Sequence, residues 1–134
     1  HVAGGGKKTE FTHPRYRVFE FLRSELQDVM ALSDFVVSRA GANSIFEFLS
    51  LKKPMLLIPL EIGSRGDQVE NARCFASHGV AKVVPETELS SQRLSAEIFS
   101  FAENLSQYRG ALDVPFVPVN PEELILDSLE KVLH

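Results

Sequence analysis

The run Met55-Leu56-Leu57-Ile58-Pro59 restricts the fold more than any other part of this chain. Five apolar residues in succession have strand length and lack the polar alternation of a half-solvated strand. Such a run fits a strand covered on both faces, as in a parallel sheet flanked by helices. Its surroundings repeat the theme. Asp34-Phe35-Val36-Val37-Ser38 and residues 81–84 read as two more short buried strands. Residues 15–21, with Tyr16, Val18, Phe19 and Phe21, read as another. Helical spacing appears between them. Leu26, Val29 and Met30 predict a helix over 24–32, and Ile45, Phe48 and Leu49 predict one over 44–51, stopped by Lys52-Lys53-Pro54. A third is expected over 67–77, with His78 at its negative end and Gly79 as its cap. Leu94, Ile98, Phe101 and Leu105 stripe a fourth over 91–105. Asn120-Pro121-Glu122-Glu123 opens a fifth, leading into Leu124, Leu126, Leu129, Val132 and Leu133. Strand and helix alternating in this way predict an α/β fold, a parallel-sheet Rossmann-like domain. Ligands of such sheets sit beyond the carboxyl ends of the strands. The informative turns therefore follow Val2, Phe21, Ser38 and Ile58.

Length and charge narrow the function. The 134 residues suit a single domain, 1–134, with a core that needs neither disulfide nor metal. Fourteen basic against eighteen acidic residues, net -4, argue against nucleic-acid binding by bulk positive charge. No apolar run reaches the roughly 18 residues of a membrane span. Cys74 is the only cysteine, so no disulfide framework exists and a reducing compartment is the simpler reading. Lying among Ala72, Phe75 and Ala76, it is expected in the core rather than as a nucleophile. The chain opens at His1 in mid-phrase, with no signal peptide, which reads as a fragment of a longer protein.

Three turns carry chemistry. In Ser38-Arg39-Ala40-Gly41-Ala42-Asn43-Ser44-Ile45-Phe46-Glu47, a buried strand ends in small residues and opens into a helix. Gly41 and Ala42 let a ligand approach the backbone. The amides of Asn43, Ser44 and Ile45 are expected to point outward at the positive end of the helix dipole, a site for phosphate or pyrophosphate. Glu47, one turn on, is placed to accept hydrogen bonds from two ribose hydroxyls. Ser44-x-x-Glu47 also matches a capping box, which needs no ligand. Gly4-Gly5-Gly6-Lys7 fits a second phosphate loop or a plain turn. Asp67 and Gln68, at a helix start, suit sugar hydroxyls, or else a helix cap and a solvated amide.

Other chemistries lack their residues. There is no G-x-x-x-x-G-K-[ST] and no G-x-S-x-G. His1, His13, His78 and His134 show no metal-ligand spacing. The missing Asp-x-Asp argues against one type of metal-dependent sugar-nucleotide site. The missing G-x-G-x-x-G argues against a dinucleotide-binding dehydrogenase.

Taken together, "SDFVVSRAGANSIFEFLSLKKPMLLIPL" and "SRGDQVENARCFASHGVA" resemble the C-terminal, donor-binding half of the MurG family of bacterial glycosyltransferases. The resemblance runs from His1 to about Leu105. It rests on R-[AS]-G-A-x-[ST]-x-x-E, a P-x-x-x-x-P strand and D-Q-x-x-N-A at these separations. It implies the C-terminal half of a GT-B fold, truncated at its N-terminus. It also implies an inverting, metal-free and cofactor-free transfer of N-acetylglucosamine from UDP-GlcNAc to undecaprenyl-pyrophosphoryl-MurNAc-pentapeptide. By resemblance, Ala3, Gly4 and Gly5, with Ala42, Asn43 and Ser44, approach the pyrophosphate. Glu47 holds the ribose, and Phe21 and Leu22 offer main chain to the uracil edge. Asp67 and Gln68 hold the GlcNAc hydroxyls, although Asp stands where some members have Gln. Arg39 lines the cleft or braces the loop. The general base, the lipid-linked acceptor site and the membrane contact belong to the absent N-terminal half. No nucleic acid is implied. The expected location is cytoplasmic, peripheral on the inner face of the bacterial plasma membrane. Two rival readings share these residues: a UDP-sugar enzyme with another acceptor, and a non-catalytic donor-binding subunit of a two-chain transferase.

Overall fold

The computed structural model describes residues 1–7, 10–62 and 66–114, so the helix expected from Asn120 lies outside the described residues. The chain forms two compact units, His1–Ser33 and Asp34–His134.

In the first unit, two extended segments run parallel and meet in a bridge between Val2 and Phe19. Phe19 N donates to His1 O (2.8 Å), Ala3 N to Phe19 O (2.9 Å) and Gly4 N to Glu20 O (3.1 Å). The full strand expected over 15–21 does not form. Its partner segment turns away at once, with Gly4 and Gly6 both at positive φ (85° and 70°). On the other side, a turn closed by Tyr16 N donating to His13 O (2.9 Å) occupies the residues before Arg17. One helix follows, α1 (Glu25–Leu32), within the expected range.

The second unit is built on β1 (Val36–Ser38), β2 (Met55–Leu57) and β3 (Ala81–Val83), parallel and in the order β1-β2-β3. Val36 pairs with Met55, and Met55 with Ala81. Helices α2 (Ala42–Ser50) and α3 (Asp67–Ser77) make the two crossovers. As the opening apolar run requires, Met55, Leu56 and Leu57 are all fully buried. Alternation sends Leu56 to one face and its neighbours to the other. On the Leu56 face, Leu56, Val84 and Phe101 form a cluster packed by Phe35, Ile58, Ile98, Leu105 and Tyr108. That face is covered by α4 (Ser91–Glu103) and α5 (Leu105–Leu112). Right-handed crossovers place α2 and α3 together on the opposite face. Their buried residues are Ile45, Phe48, Ala72 and Phe75.

The helix ends follow local chemistry. Helix α2 stops in a Schellman turn: Lys52 N donates to Leu49 O (2.9 Å) and Lys53 N to Phe48 O (2.8 Å), with Lys52 itself at φ 49°. At the end of α3, His78 Nδ1 lies 2.8 Å from Cys74 O and Gly79 takes φ 74°, as the sequence predicted. Ser90 caps α4 by accepting from Arg93 N (3.1 Å). The single helix expected over 91–105 breaks at Asn104, whose amide side chain donates to Ser100 O (2.7 Å). The break reorients the chain and lets α5 bring Tyr108 onto Phe101, ring centroids 4.3 Å apart.

One charge network joins α4 to β3. Glu97 accepts from Arg93 Nε (2.8 Å) and lies 2.6 Å from Lys82 Nζ. The hydrogen bond from Lys82 holds the Glu97 carboxyl below its ordinary range, against partial burial, with further help from the charges of Lys82 and Arg93. A carboxylate with a lowered folded pKa stabilises the fold above its unfolded value, about pH 4.3. That contribution is lost as pH falls through the folded pKa. Glu97→Gln is therefore expected to lower stability by about 1 kcal/mol at neutral pH. Denaturant melts at descending pH should show the two proteins converging in the acid range.

Candidate functional site

Three chain turns leave the carboxyl ends of β1, β2 and β3 on one edge of the parallel sheet. The β1 turn is Arg39-Ala40-Gly41. Its shortness follows from its residues: Ala40 is fully buried and Gly41 is the N-cap of α2 in extended conformation (φ -68°, ψ 134°). The helix thus starts at Ala42, two residues earlier than expected, and that start removes one of the two readings of Ser44-x-x-Glu47. Ser44 sits at the third helical position and caps nothing, so the capping box is absent. The start also corrects the list of outward amides. Ile45 N donates to Gly41 O (3.0 Å) and is spent inside the helix. After the cap residue Gly41, the amides without an intrahelical partner are those of Ala42, Asn43 and Ser44.

Glu47 lies one turn further on. Its side chain and Phe46 are exposed, whereas Ile45 and Phe48 on either side turn inward. Phe46 meets Phe75 of α3 edge to face, centroids 6.1 Å apart, which sets the two crossover helices side by side.

The β2 turn returns to α3 through Gly66, which caps the helix at φ 87° and ψ -13°. Asp67 does not cap it. Asp67 is the first helical residue and is exposed, with Glu70 beside it in the first turn, where negative charge suits the dipole. Gln68 is half-buried rather than solvated. Its Oε1 accepts from Leu60 N (3.0 Å), which pins the side chain against the β2 turn and leaves its Nε2 as the remaining donor group.

Two side chains, Asn71 and Arg39, tie the turns together, and the sequence named the partners of neither. Asn71 Nδ2 donates to Ala40 O (3.2 Å), joining α3 to the β1 turn one helical turn below Gln68. The only cue was a polar amide three residues after Gln68 on a helix face that also buries Ala72. Arg39 Nη1 donates to Ile58 O (3.3 Å), and Nη2 pairs with Glu86 beyond β3. Arg39 is a brace, the second of the two roles expected for it. Cys74 is corrected: it is exposed, because α3 buries Ala72 and Phe75 and turns the two residues between them, Arg73 and Cys74, away.

In the other unit, Ala3, Gly4 and Gly5 lie on the parallel bridge and the turn that follows it. The ring of Phe21 would stand 2.8 Å from a Cβ at Gly5, so the glycine leaves room for that ring. Gly6 N donates to the Glu20 carboxylate (2.7 Å), and Lys7 N to Gly4 O (3.2 Å). Phe21 is exposed and Leu22 half-buried. Ala42, Asn43, Ser44, Glu47, Asp67 and Gln68 are thus brought to one sheet edge, within one unit. Ala3, Gly4, Gly5, Phe21 and Leu22 are grouped in the other.

The model of the glycosyltransferase family 28 C-terminal domain matches residues 4–111. This chain belongs to that family. Among curated proteins, a family 28 relative from Geobacillus thermodenitrificans (strain NG80-2) is 54% identical over 112 residues, 81% of this chain and 32% of the relative. One from Clostridium perfringens (strain SM101 / Type A) is 40% identical over 137 residues, 100% of this chain and 38% of the relative. Both carry the name UDP-N-acetylglucosamine–N-acetylmuramyl-(pentapeptide) pyrophosphoryl-undecaprenol N-acetylglucosamine transferase. The chain therefore spans about a third of the length of these relatives. Among solved structures, Acinetobacter baumannii MurG superposes with a TM-score of 0.64 at 20% identity, over 86% of this chain and 33% of that one. The spinosyn forosaminyltransferase SpnP gives 0.60 at 17% identity, over 95% and 32%. The family 28 domain here thus has the α/β fold of one half of a GT-B glycosyltransferase. No described helix is long and apolar enough to cross a membrane.

Proposed function

We propose that this chain is the donor-binding half of a transferase that moves N-acetylglucosamine from UDP-GlcNAc to a lipid-linked muramoyl-pentapeptide. Two relatives at 40% and 54% identity carry that name. The single observation that carries the site is the bond from Asn71 to Ala40 O, which ties α3, one turn below Gln68, to the β1 turn that opens α2.

The chemistry follows from that edge. The acceptor hydroxyl attacks the anomeric carbon from the face opposite UDP, so configuration inverts and UDP leaves. Negative charge grows on the departing diphosphate and needs fixed donors. The amides of Ala42, Asn43 and Ser44 supply them, aided by the helix dipole. Glu47 accepts from the ribose hydroxyls. Asp67 accepts from sugar hydroxyls and Gln68 Nε2 donates to one. Ala3, Gly4 and Gly5 approach the diphosphate, and the main chain of Phe21 and Leu22 faces the uracil edge. The general base, the acceptor and the contact with the inner membrane face belong to the other half of the enzyme.

Calorimetry on the full-length protein with UDP-GlcNAc, UDP and ADP tests this. Uridine ligands are expected to bind and ADP to bind at least tenfold more weakly, a difference of about 1.4 kcal/mol. Equal affinity for ADP, or none for UDP-GlcNAc, overturns the reading. Turnover with water or diacylglycerol, and none with lipid-linked muramoyl-pentapeptide, reassigns the acceptor. The chain without the other half is expected to show no turnover.

A further inference from the structure

We propose that Glu86 is a positioning residue for the donor-binding edge, acting through Arg39; the inference rests on the donor-site reading above. Glu86 follows β3 and Pro85 and opens a single 3₁₀ turn, Glu86–Glu88. It touches none of the residues assigned to the donor. Its carboxylate instead takes one arm of the Arg39 guanidinium, and the other arm reaches Ile58 O (3.3 Å). Arg39 stands two residues before Gly41, the cap of the helix whose amides face the diphosphate. Ile58 stands two residues before Leu60, whose amide holds Gln68 Oε1 (3.0 Å). Next to Glu86, Thr87 Oγ1 donates to Glu61 Oε1 (3.4 Å), a second link from the same turn to the β2 turn. The turn after β3 thus fixes the other two strand-end turns through one forked cation.

The ion pair is too wet to serve stability. The side chains are 48% and 34% exposed, and such pairs contribute little to folding. Its geometry is what a lysine would lose: a planar fork satisfies two acceptors in fixed directions, whereas a single ammonium does not. The carboxylate of Glu86 selects the arginine rotamer that keeps the second arm on Ile58. Without it, Arg39 swings into solvent, and the spacing between the α2 amides and Gln68 relaxes.

The test compares Glu86→Ala and Glu86→Gln in the full-length protein. Glu86→Ala is expected to raise the donor KM about fivefold, with kcat within twofold. Glu86→Gln, which keeps an acceptor oxygen, should recover most of the loss. A merely structural role would move the opposite quantity: fewer folded molecules lower apparent kcat and leave KM alone. Hydrogen exchange supplies a readout independent of donor. Amides in 38–41 and 58–62 are expected to exchange faster in Glu86→Ala without ligand. Unchanged donor KM together with unchanged exchange overturns the proposal. Should wild-type protein bind no UDP-GlcNAc, the donor-site reading fails by itself. The brace then stands if exchange accelerates in those two turns and falls if it does not.

Discussion

Glu47→Ala is expected to weaken UDP-GlcNAc binding by about 5–150-fold, the loss of about 1–3 kcal/mol that removal of one good polar anchor brings. The melting temperature should stay within about 2 °C, because the side chain is exposed and alanine is the better helix former. Among the described residues, the Glu47 carboxylate has no hydrogen-bond partner, so alanine removes none of the contacts made there. Glu47→Gln separates charge from reach: it keeps one acceptor oxygen and should fall between wild type and alanine. Calorimetry with UDP-GlcNAc and with UDP reads the effect. A ribose anchor weakens both ligands equally, whereas a sugar anchor would weaken UDP-GlcNAc alone. Unchanged affinity for both would make Glu47 an ordinary solvated position on a helix surface.

The sequence made the sheet legible for a physical reason. A strand buried on both faces tolerates almost no polar residue, so Met55-Leu56-Leu57 admits few alternatives. Helix α3 was equally plain, and its observed bounds match those expected, because its start and stop are local: a glycine before the first turn and an aspartate opening it, then His78 and Gly79 after the last. The start of α2 was not local. Ser44-x-x-Glu47 offered a reasonable cap, but Ala40 is buried and its carbonyl is held by Asn71, 31 residues away, so the chain turns sooner. The partners of Arg39 were hidden likewise, since they lie 19 and 47 residues distant. The break at Asn104 carries neither glycine nor proline. It depends on an asparagine side chain competing for the Ser100 carbonyl, which asparagine does in many contexts without ending a helix. Chemistry carried by one turn was readable; chemistry that joins turns was not.

The same division predicts which phenylalanine of α4 matters. Phe101→Ala is expected to destabilise the fold by about 3–5 kcal/mol. Phe101 is fully buried, lies under Leu56 and Val84, and meets Phe35 (5.4 Å, edge to face) and Tyr108 (4.3 Å). Removing the ring leaves a void lined by β2, α4 and α5, none of which can close it alone. For a chain of this size the midpoint should fall by roughly 10–20 °C. Phe99, two residues earlier, is 69% exposed on the opposite side of the helix. Phe99→Ser should shift stability by no more than about 0.5 kcal/mol. Denaturant unfolding of both variants reads the contrast, and the conservative Phe101→Leu should fall between them. The cavity also has a consequence at the functional edge. Leu56 lies on β2 and Ile58 just past its end, where the β2 turn begins, and Ile58 O is the acceptor for Arg39. A softened core beneath Ile58 therefore loosens the turn that holds Gln68, so Phe101→Ala should weaken donor binding even at temperatures where the protein remains folded. Equal affinity of folded Phe101→Ala and wild type would show instead that the strand-end turns are rigid without support from below.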